Sequence, residues 1–388
     1  MIPVQSLTTG DILYGDRTTS YRWEVLTHTA SGVDVLAGYL DGVVADSPTL
    51  SWSLYAAVKG TGNLKVTDLA QANPGYLRIA DVALPSARLR PVLLVDGLPE
   101  IPLGVYLFSG APEAWSGSGR VYALELLDRC TVLDQDKVET SYTVDASTPI
   151  LQAVATIVGL AGEAITVDNT VTTTLALPKV WDAGTTKLQI ANDLLDALNY
   201  NSLWVDGVGN LRATPYVLPA NRSTTYELLN LARELVDGDT SIYEDEWNRD
   251  RDLFNIPNKV TAIQSAGGSA AALTGSWTNT DPASPFSYPS RGNRWIAATL
   301  DGVECPAGTD ASIIAFLQAK AQASLIASSA VQATVEVKHL PIPIRVSDAL
   351  RFKNTPAGID KRHVVTSIDL DAQPLGLMTT KLQEVITL

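Results

Sequence analysis

Apolar and polar residues alternate through most of the amino-terminal third of the chain, and this pattern limits the fold more than any other feature. Tyr21 and Trp23 have the spacing of side chains on one face of a β-strand, and Leu124 and Leu126 repeat it. Asp-Gly and Gly-Leu-Pro sequences separate such runs, as turns separate antiparallel strands. The sequence therefore predicts a compact β domain over residues 1–138.

The period of the apolar residues then changes to that of an α-helix. Ile150 and Val154 recur at helical spacing, and a second apolar stripe ends around Asn199. A short β-hairpin pattern follows directly. Residues 139–222 are therefore predicted to form an inserted α/β domain of two helices and one hairpin.

Strand patterns return after the hairpin, with one long helix among them. Residues 237–258 are irregular and acidic, and the small residues of 267–285 predict a flexible loop or a hairpin arm. An apolar stripe predicts a helix over 309–328. The sequence thus predicts a mainly β fold with an α+β insertion, in which 223–345 form a second β domain and 346–388 a C-terminal β segment.

The pattern Val-x-Gly-x-Gly-Asn-Leu occurs twice, as VKGTGNLK and VDGVGNLR. A phosphate-binding loop needs a third glycine with a helix directly after it, whereas Lys65 and Arg212 stand at that position and strand-like residues follow. Glycine and asparagine accept the positive φ angles of short hairpin loops. Both copies are therefore predicted to be β-hairpin turns. The predicted turn residues are Gly60, Gly62, Asn63, Asp206, Gly207, Gly209 and Asn210.

The chain is acidic, with 42 Asp and Glu residues against 28 Lys and Arg residues and a formal net charge of −14. Proteins that read DNA grooves or neutralise phosphates need a basic surface, so the composition argues against this class. A length of 388 residues predicts about two to four domains. The first residues have no secretory signal and no stretch is apolar for long enough to span a bilayer, so we expect cytoplasmic synthesis and no membrane insertion.

The residues do not form a recognisable catalytic pattern, and the sequence predicts a protein that is not an enzyme and holds no metal or cofactor. The three histidines lack metal-ligand spacing, and Ser118 lacks one flanking glycine of a nucleophile elbow. The acids between residues 237 and 252 lack the register of a calcium loop, so they are predicted to form a solvated or interface loop. Candidate partner contacts are Trp277, Glu244, Asp245 and Glu246.

Three stretches resemble the tail-hub proteins of tailed bacteriophages, a family that includes minor tail, tail-associated and baseplate-hub proteins. They are ALELLDRCTVL at the end of the first β domain, NYNSLWVDGVGNLRATPY in the insertion and VSDALRF near the C-terminus. The resemblance covers nearly the whole chain, and the last two stretches are its most specific parts. Hub proteins usually carry a glycine-aspartate pair where this chain has Ser347 and Asp348.

This resemblance implies a homotrimeric ring at the tail tip of a virion. Two β-barrel-like domains per subunit, here residues 1–138 and the strands after 223, would form a pseudo-hexamer that adapts a sixfold tail tube to a threefold tip. The implied partners are the tail tube, distal tail and tape measure proteins and a central fibre or spike. DNA would pass through the channel without specific binding, and the acid excess fits this because a negative wall repels phosphate.

Two other functions remain open on the sequence alone. A carbohydrate-binding tip module would need an exposed aromatic and acidic groove, for which Trp277, Trp295 and the acids of 237–252 are candidates. A cell-wall hydrolase would need a carboxylate pair or a metal site in a cleft, and the spacing of the 42 acids does not identify such a pair.

Overall fold

A computed structural model describes most of the chain, and the described residues are mainly β with a small helical part. This confirms the fold class predicted from the sequence. The described residues are 18–29, 32–45, 47–68, 74–117, 119–168, 171–229, 243–250, 256–265, 272–330, 334–354 and 357–385.

The elements follow one another in three groups. The first group is β1 (Thr19–His28), β2 (Asp34–Leu40), β3 (Thr49–Ser53), β4 (Gly60–Thr67), β5 (Tyr76–Leu77), β6 (Ala87–Val95), β7 (Ile101–Pro102), β8 (Tyr106–Gly110), β9 (Glu113–Ser116) and β10 (Gly119–Asp128). The second is α1 (Cys130–Gln135), β11 (Tyr142–Val144), α2 (Ile150–Gly159), β12 (Ile165–Val167), β13 (Lys179–Trp181), α3 (Lys187–Asp196), β14 (Trp204–Val205) and β15 (Leu211–Ala213). The third is β16 (Thr224–Leu229), β17 (Tyr243–Asp250), β18 (Lys259–Gln264), β19 (Thr274–Thr278), β20 (Ala297–Val303), α4 (Asp310–Ala330), β21 (Thr334–His339), β22 (Ala349–Asn354), β23 (Ile359–Asp371) and β24 (Met378–Glu384).

One large sheet of 16 strands joins the first and the last parts of the chain. Its main path runs β17-β21-β24-β23-β3-β4-β10-β8-β6-β1-β2-β5. The two parts meet where β3 pairs antiparallel with β23, with Leu50 opposite Leu370. Both leucines belong to a core that also contains Trp23, Phe352 and Leu382. The sheet therefore continues across the domain divisions expected from the sequence, and that division stays a prediction.

The inserted segment has a core of its own between α2 and α3. The apolar residues at helical spacing, such as Ile150 and Val154 on α2 and Leu194 on α3, are fully buried there. α3 begins after Thr186, whose hydroxyl accepts a hydrogen bond from the amide of Gln189 at 3.1 Å and so caps the helix. The small sheets β11-β13 and β12-β15-β14 complete this unit.

A second small unit consists of the sheet β19-β18-β20 and the long helix α4. The stripe of Ile313, Leu317, Ala321 and Leu325 buries α4 against this sheet. β19 pairs antiparallel with β18, so Thr274–Thr278 of the small-residue stretch form a hairpin arm, which was one of the two predicted alternatives. Within the described residues no helix is long and apolar enough to cross a bilayer.

Candidate functional site

The tip of the β14–β15 hairpin docks against the loop that connects β7 to β8. Asp206 organises the tip, because its Oδ1 accepts hydrogen bonds from the amides of Val208 at 3.1 Å and Asn210 at 2.8 Å. The carbonyl oxygen of Gly207 accepts a hydrogen bond from the amide of Gly104 at 2.8 Å. The structure therefore places the second copy of the glycine pattern in a loop between antiparallel strands, where its backbone bonds to the large sheet.

Gly207 and Gly209 make this close approach possible. A Cβ on Gly207 would lie 2.4 Å from the carbonyl oxygen of Pro102, and a Cβ on Gly209 would lie 2.4 Å from Cγ2 of Val105. Gly209 also has a φ of +99°, which L-residues with a side chain rarely adopt. The glycines are therefore required for packing between the inserted segment and the large sheet.

A buried group of charges adjoins the docked tip. Arg129 donates from Nη1 to the carbonyl oxygen of Gly209 at 3.0 Å and from Nε to Oε2 of Glu163. The other carboxylate oxygen of Glu163 accepts a hydrogen bond from Arg88 Nη2 at 2.7 Å. Asp34 lies 3.3 Å from Arg129 Nη1 and 3.4 Å from Arg88 Nη1. We call Asp34, Arg88, Arg129 and Glu163 the junction cluster.

The junction cluster is balanced in charge, with two guanidinium groups and two carboxylates. The side chain of Glu163 is 1% exposed, so its charge is compensated by protein groups and not by water. His28 closes the outer side, with Nδ1 2.7 Å from a carboxylate oxygen of Asp34. The cluster thus ties the start of β2, β6 and the end of β10 to the segment that follows α2.

This arrangement suits a rigid connection better than catalysis. Arginine does not release its proton in proteins, and both carboxylate oxygens of Glu163 already accept hydrogen bonds from guanidinium groups. No group of three or more His, Cys, Asp or Glu residues that could hold a metal ion occurs among the residues that the structure describes.

The predicted hairpin turn is wrong for the first copy of the glycine pattern. Gly60, Gly62 and Asn63 lie inside β4, which pairs with β3 on one side and β10 on the other. The turn that joins β3 to β4 comes earlier, at residues 54–59. The glycines instead let neighbouring strands approach, since a Cβ on Gly62 would lie 2.7 Å from Cδ2 of Leu50.

Two buried ionisable groups stabilise this earlier turn and the start of β4. The ammonium of Lys59 donates a hydrogen bond to the carbonyl oxygen of Leu54 at 2.8 Å. Asp128 accepts hydrogen bonds from the amides of Gly60 at 2.5 Å and Cys130 at 2.8 Å. Burial raises the pKa of the Asp128 carboxyl, and burial lowers the pKa of the Lys59 ammonium.

The residues predicted as partner contacts lie in strands. Trp277 belongs to β19 and is half-buried against the core beneath α4. Glu244, Asp245 and Glu246 belong to β17, which pairs with β21 on both sides of these acids, so the predicted acidic loop is wrong for residues 243–250. The rest of the predicted loop, residues 237–242, 251 and 252, lies outside the described residues. The side chains of these three acids lie outside what the structure describes, and their role as contacts stays a prediction.

The exposed tryptophan of the same unit has a neighbouring aromatic ring stacked on it. Trp295 stacks on Tyr288 with ring centroids 4.2 Å apart, and the ammonium of Lys259 lies 5.9 Å from the indole centroid. Trp277 is packed separately in β19. Tyr288 therefore occupies one of the ring faces on which a sugar could stack.

Sequence reasoning missed the junction cluster, although one signal was present. Arg129 stands in the run LELLDRCTVL, where charged side chains are unusual among residues of a buried strand and helix. Asp34, Arg88 and Glu163 have ordinary surface-like surroundings in the sequence, and only the fold brings them to Arg129.

No protein-family model matches the sequence, and no curated protein matches it. Solved structures do match. A tail protein from Neisseria meningitidis aligns over 94% of this chain and 97% of its own, with a TM-score of 0.63 and 12% identity. A 43 kDa prophage tail protein from Shewanella oneidensis aligns over 94% and 98%, with a TM-score of 0.60 and 14% identity. A prophage tail protein from Listeria monocytogenes aligns over 93% and 94%, with a TM-score of 0.53 and 12% identity. The chain therefore shares the fold of these tail proteins.

Proposed function

We propose that this chain is a structural protein of the tail of a phage or a related injection device, and that three copies form a hub ring at the tail tip. The observation that carries the proposal is the fold, which tail proteins from three bacteria share over 97%, 98% and 94% of their own lengths. The junction cluster supports a structural role, because its paired charges connect segments of the chain and leave no carboxylate oxygen of Glu163 for a substrate.

The edges of the large sheet support assembly with other copies. Within the described residues, β2 pairs with β1 on one side and with β5 only at Tyr39 and Leu40 on the other. Val35 and Leu36 of this strand are 51% and 45% exposed. β17 forms the opposite end of the sheet path. An exposed apolar edge such as that of β2 tends to pair with a further strand, and a closed ring of copies would cover it.

In this proposal the ring adapts a sixfold tail tube to a threefold tip and forms part of the DNA-ejection channel. Its proposed partners are the tail tube, distal tail and tape measure proteins and a central fibre or spike. DNA is proposed to pass through the channel without specific binding, and a channel wall that shares the acid excess of the chain, with its net charge of −14, would repel phosphate.

Negative-stain electron microscopy with class averaging of the purified protein at high concentration tests the ring. We expect a ring with threefold or pseudo-sixfold symmetry and a central channel. A particle that stays a compact monomer alone, and also when mixed with the tube and distal tail proteins of its particle, contradicts the proposal. A ring with a neutral or basic channel in a higher-resolution reconstruction would contradict the charge argument alone.

A further inference from the structure

The residues that follow β15 return to the large sheet, and two arginines hold them there. Arg362 of β23 donates from Nη1 to the carbonyl oxygen of Ala220 at 3.0 Å and from Nη2 to the carbonyl oxygen of Arg222. Arg222 donates in turn from Nη1 to the carbonyl oxygen of Ser347 at 2.8 Å. Both guanidinium groups therefore bind neutral backbone oxygens, which do not balance their charges.

Arg345 adds a third guanidinium beside this contact. Its Nη2 lies 3.4 Å from Oδ1 of Asp348, the neighbour of Ser347, and its side chain is 42% exposed. Among the side chains that the structure describes, Asp348 is the one carboxylate that pairs with any of the three arginines. A guanidinium has five N–H donors, so Arg345 keeps donors that can reach a ligand.

Two aromatic rings of the inserted segment lie against these arginines. The guanidinium carbon of Arg222 lies 5.6 Å from the centroid of the Tyr216 ring. The guanidinium carbon of Arg345 lies 4.7 Å from the centroid of Trp204 in β14. Each ring therefore makes a cation–π contact that positions one guanidinium group.

Tyr55, in the turn between β3 and β4, is the third aromatic ring of this surface. The side chain is 70% exposed, while its hydroxyl donates to Oε1 of the buried Gln383 at 2.9 Å. Burial of the hydroxyl end raises the pKa of the phenol, Tyr216 raises it further, and Arg222 lowers it, so the three groups are neighbours. We call Tyr55, Trp204, Tyr216, Arg222 and Arg345 the arginine–aromatic patch.

The arginine–aromatic patch has an excess of positive charge in a chain whose net charge is −14. The junction cluster pairs two arginines with two carboxylates, whereas the patch and the adjoining Arg362 set three arginines against Asp348 alone among the described side chains. Burial lowers the pKa of Arg222, and its neighbours, Asp348 among them, do not reverse this effect. A further anionic group on the patch would therefore stabilise the Arg222 charge.

We infer that the arginine–aromatic patch binds an acidic segment of a partner protein, with Asp or Glu carboxylates on the guanidinium groups and the segment packed on the aromatic rings. Tryptophan, tyrosine and arginine are the residues that contribute most to binding at protein interfaces. A planar guanidinium also matches a carboxylate with two parallel hydrogen bonds. This contact goes beyond the proposed ring and does not require it.

An acidic protein segment fits the patch better than a nucleic acid or an anionic membrane does. Both of these present repeated negative charges over a wide surface. The chain has 42 acidic residues against 28 basic residues, and this excess repels an extended negative surface. A short segment can place a few carboxylates on the patch without bringing further charge against the rest of the protein.

The test measures the fluorescence anisotropy of fluorescein-labelled poly-glutamate in titrations with the purified protein. The patch variant is Tyr55→Ser with Arg345→Gln, which changes two exposed side chains and leaves Arg222 in its backbone contacts. The matched control is Tyr76→Ser with Arg120→Gln, because it removes the same residue types and the same charge elsewhere on the surface. Tyr76 is 40% exposed and the side chain of Arg120 is 55% exposed.

We expect the wild type and the control to bind poly-glutamate equally, and the patch variant to bind it at least about tenfold more weakly. Added salt should weaken the binding, because the contact is between charges near the surface. A wild type that does not bind poly-glutamate, or a patch variant that binds it as well as the wild type, overturns the inference.

Two further results would assign the patch to another occupant and would also overturn the inference. The first is tighter binding of the wild type to polyphosphate than to poly-glutamate, lost in the patch variant, which would indicate a phosphate site. The second is loss of the ring in the patch variant, which would identify a second copy of the chain as the occupant. A wild type that binds poly-glutamate through the patch but forms no ring contradicts only the proposed function.

Discussion

Arg129 and Gly209 lie 80 residues apart in the chain and are joined by a hydrogen bond of 3.0 Å from the guanidinium to the carbonyl oxygen. The same guanidinium pairs with Glu163, so one side chain connects the end of β10 to the hairpin tip and to the segment after α2. The junction cluster is therefore the point at which the inserted segment is held to the large sheet.

Removing one charge from the junction cluster should strongly destabilise the folded protein. Glu163→Gln leaves Arg88 and Arg129 buried with a single carboxylate between them. Loss of one partner of a buried ion pair lowers the free energy of unfolding by about 3–5 kcal/mol. Urea unfolding followed by circular dichroism measures this change. Asp81→Asn is the control, because its pair with Arg78 is solvent-exposed and should hardly matter. Equal midpoints for all three proteins would show that the cluster is not a stabilising connection.

A side chain at Gly209 should weaken the docking of the hairpin. In Gly209→Ala the added methyl group meets Val105 at 2.4 Å and the backbone keeps a φ of +99°. We expect faster hydrogen exchange of the Gly104 amide, which bonds to Gly207 across the contact. Gly184→Ala is the matched control, since Gly184 has a φ of +89° with no atom near the added Cβ.

The comparison of these two variants separates backbone strain from steric conflict. Both should lose about 1–3 kcal/mol of unfolding free energy through the strained φ. Only Gly209→Ala should lose a further 1–3 kcal/mol, roughly, from overpacking and show the faster exchange at Gly104. If both variants lose the same unfolding free energy and show the same exchange at Gly104, the close approach to Val105 does not contribute to stability.

The glycine pattern predicted the β14–β15 hairpin correctly and gave a wrong turn position for the β3–β4 hairpin. The pattern Gly-x-Gly-Asn is the same in both copies, but in the first copy Lys59 bonds to the carbonyl oxygen of Leu54 and the turn forms before the glycines. The need for Gly62 comes from Leu50 on the neighbouring strand, 12 positions earlier in the chain. A local pattern contains no information on such a neighbour, so it could not distinguish a turn glycine from a packing glycine.

Periodicity predicted α2, α3, α4 and many of the strands, because burial of one face repeats along a single element. It did not predict α1, which lies within the segment expected to be a β domain. The pairing of strands in the large sheet was harder to predict from the sequence, since β3 pairs with β23, which lies more than 300 residues away in the chain. The junction cluster was the feature that the sequence predicted least. Asp34, Arg88, Arg129 and Glu163 come from four separate segments, and their burial as a balanced group depends on contacts that no single segment encodes.

Ser347 stands where the resemblance to hub proteins expects a glycine, and its φ is +77°. Two hydrogen bonds offset part of the strain of this positive φ. Arg222 Nη1 donates to the hydroxyl of Ser347 at 2.9 Å and to its carbonyl oxygen at 2.8 Å. Ser347→Ala keeps the strained φ and loses the hydroxyl bond, so we expect unfolding free energy to fall by about 1 kcal/mol. Ser347→Gly relieves about 1–2 kcal/mol of strain and should be more stable than the alanine variant. Denaturant titration measures the free energy of unfolding of both variants. A Ser347→Ala variant that is as stable as Ser347→Gly, or more stable, would contradict this account of the turn.

Stability should depend on pH through Asp128. Burial raises the pKa of this carboxyl above its usual 3.8, so the folded state holds the proton at pH values where the unfolded chain has released it. The contribution of the carboxyl to stability is therefore complete below pH 3.8 and decreases as the pH rises through the folded pKa. Asp128→Asn does not titrate, and it offers one acceptor oxygen to two amides, those of Gly60 and Cys130.

We expect Asp128→Asn to be less stable than the wild type by about 1–3 kcal/mol at pH 4, and the difference to narrow steadily as the pH rises. Urea unfolding of both proteins at intervals from pH 4 to pH 8 measures the difference, and groups common to both proteins cancel in it. The opposite trend, with the wild type gaining on the variant as the pH rises, would mean that the two amide hydrogen bonds outweigh burial and hold the pKa of Asp128 below its usual value. In that case the start of β4 would be stabilised by the carboxylate and not by the carboxylic acid.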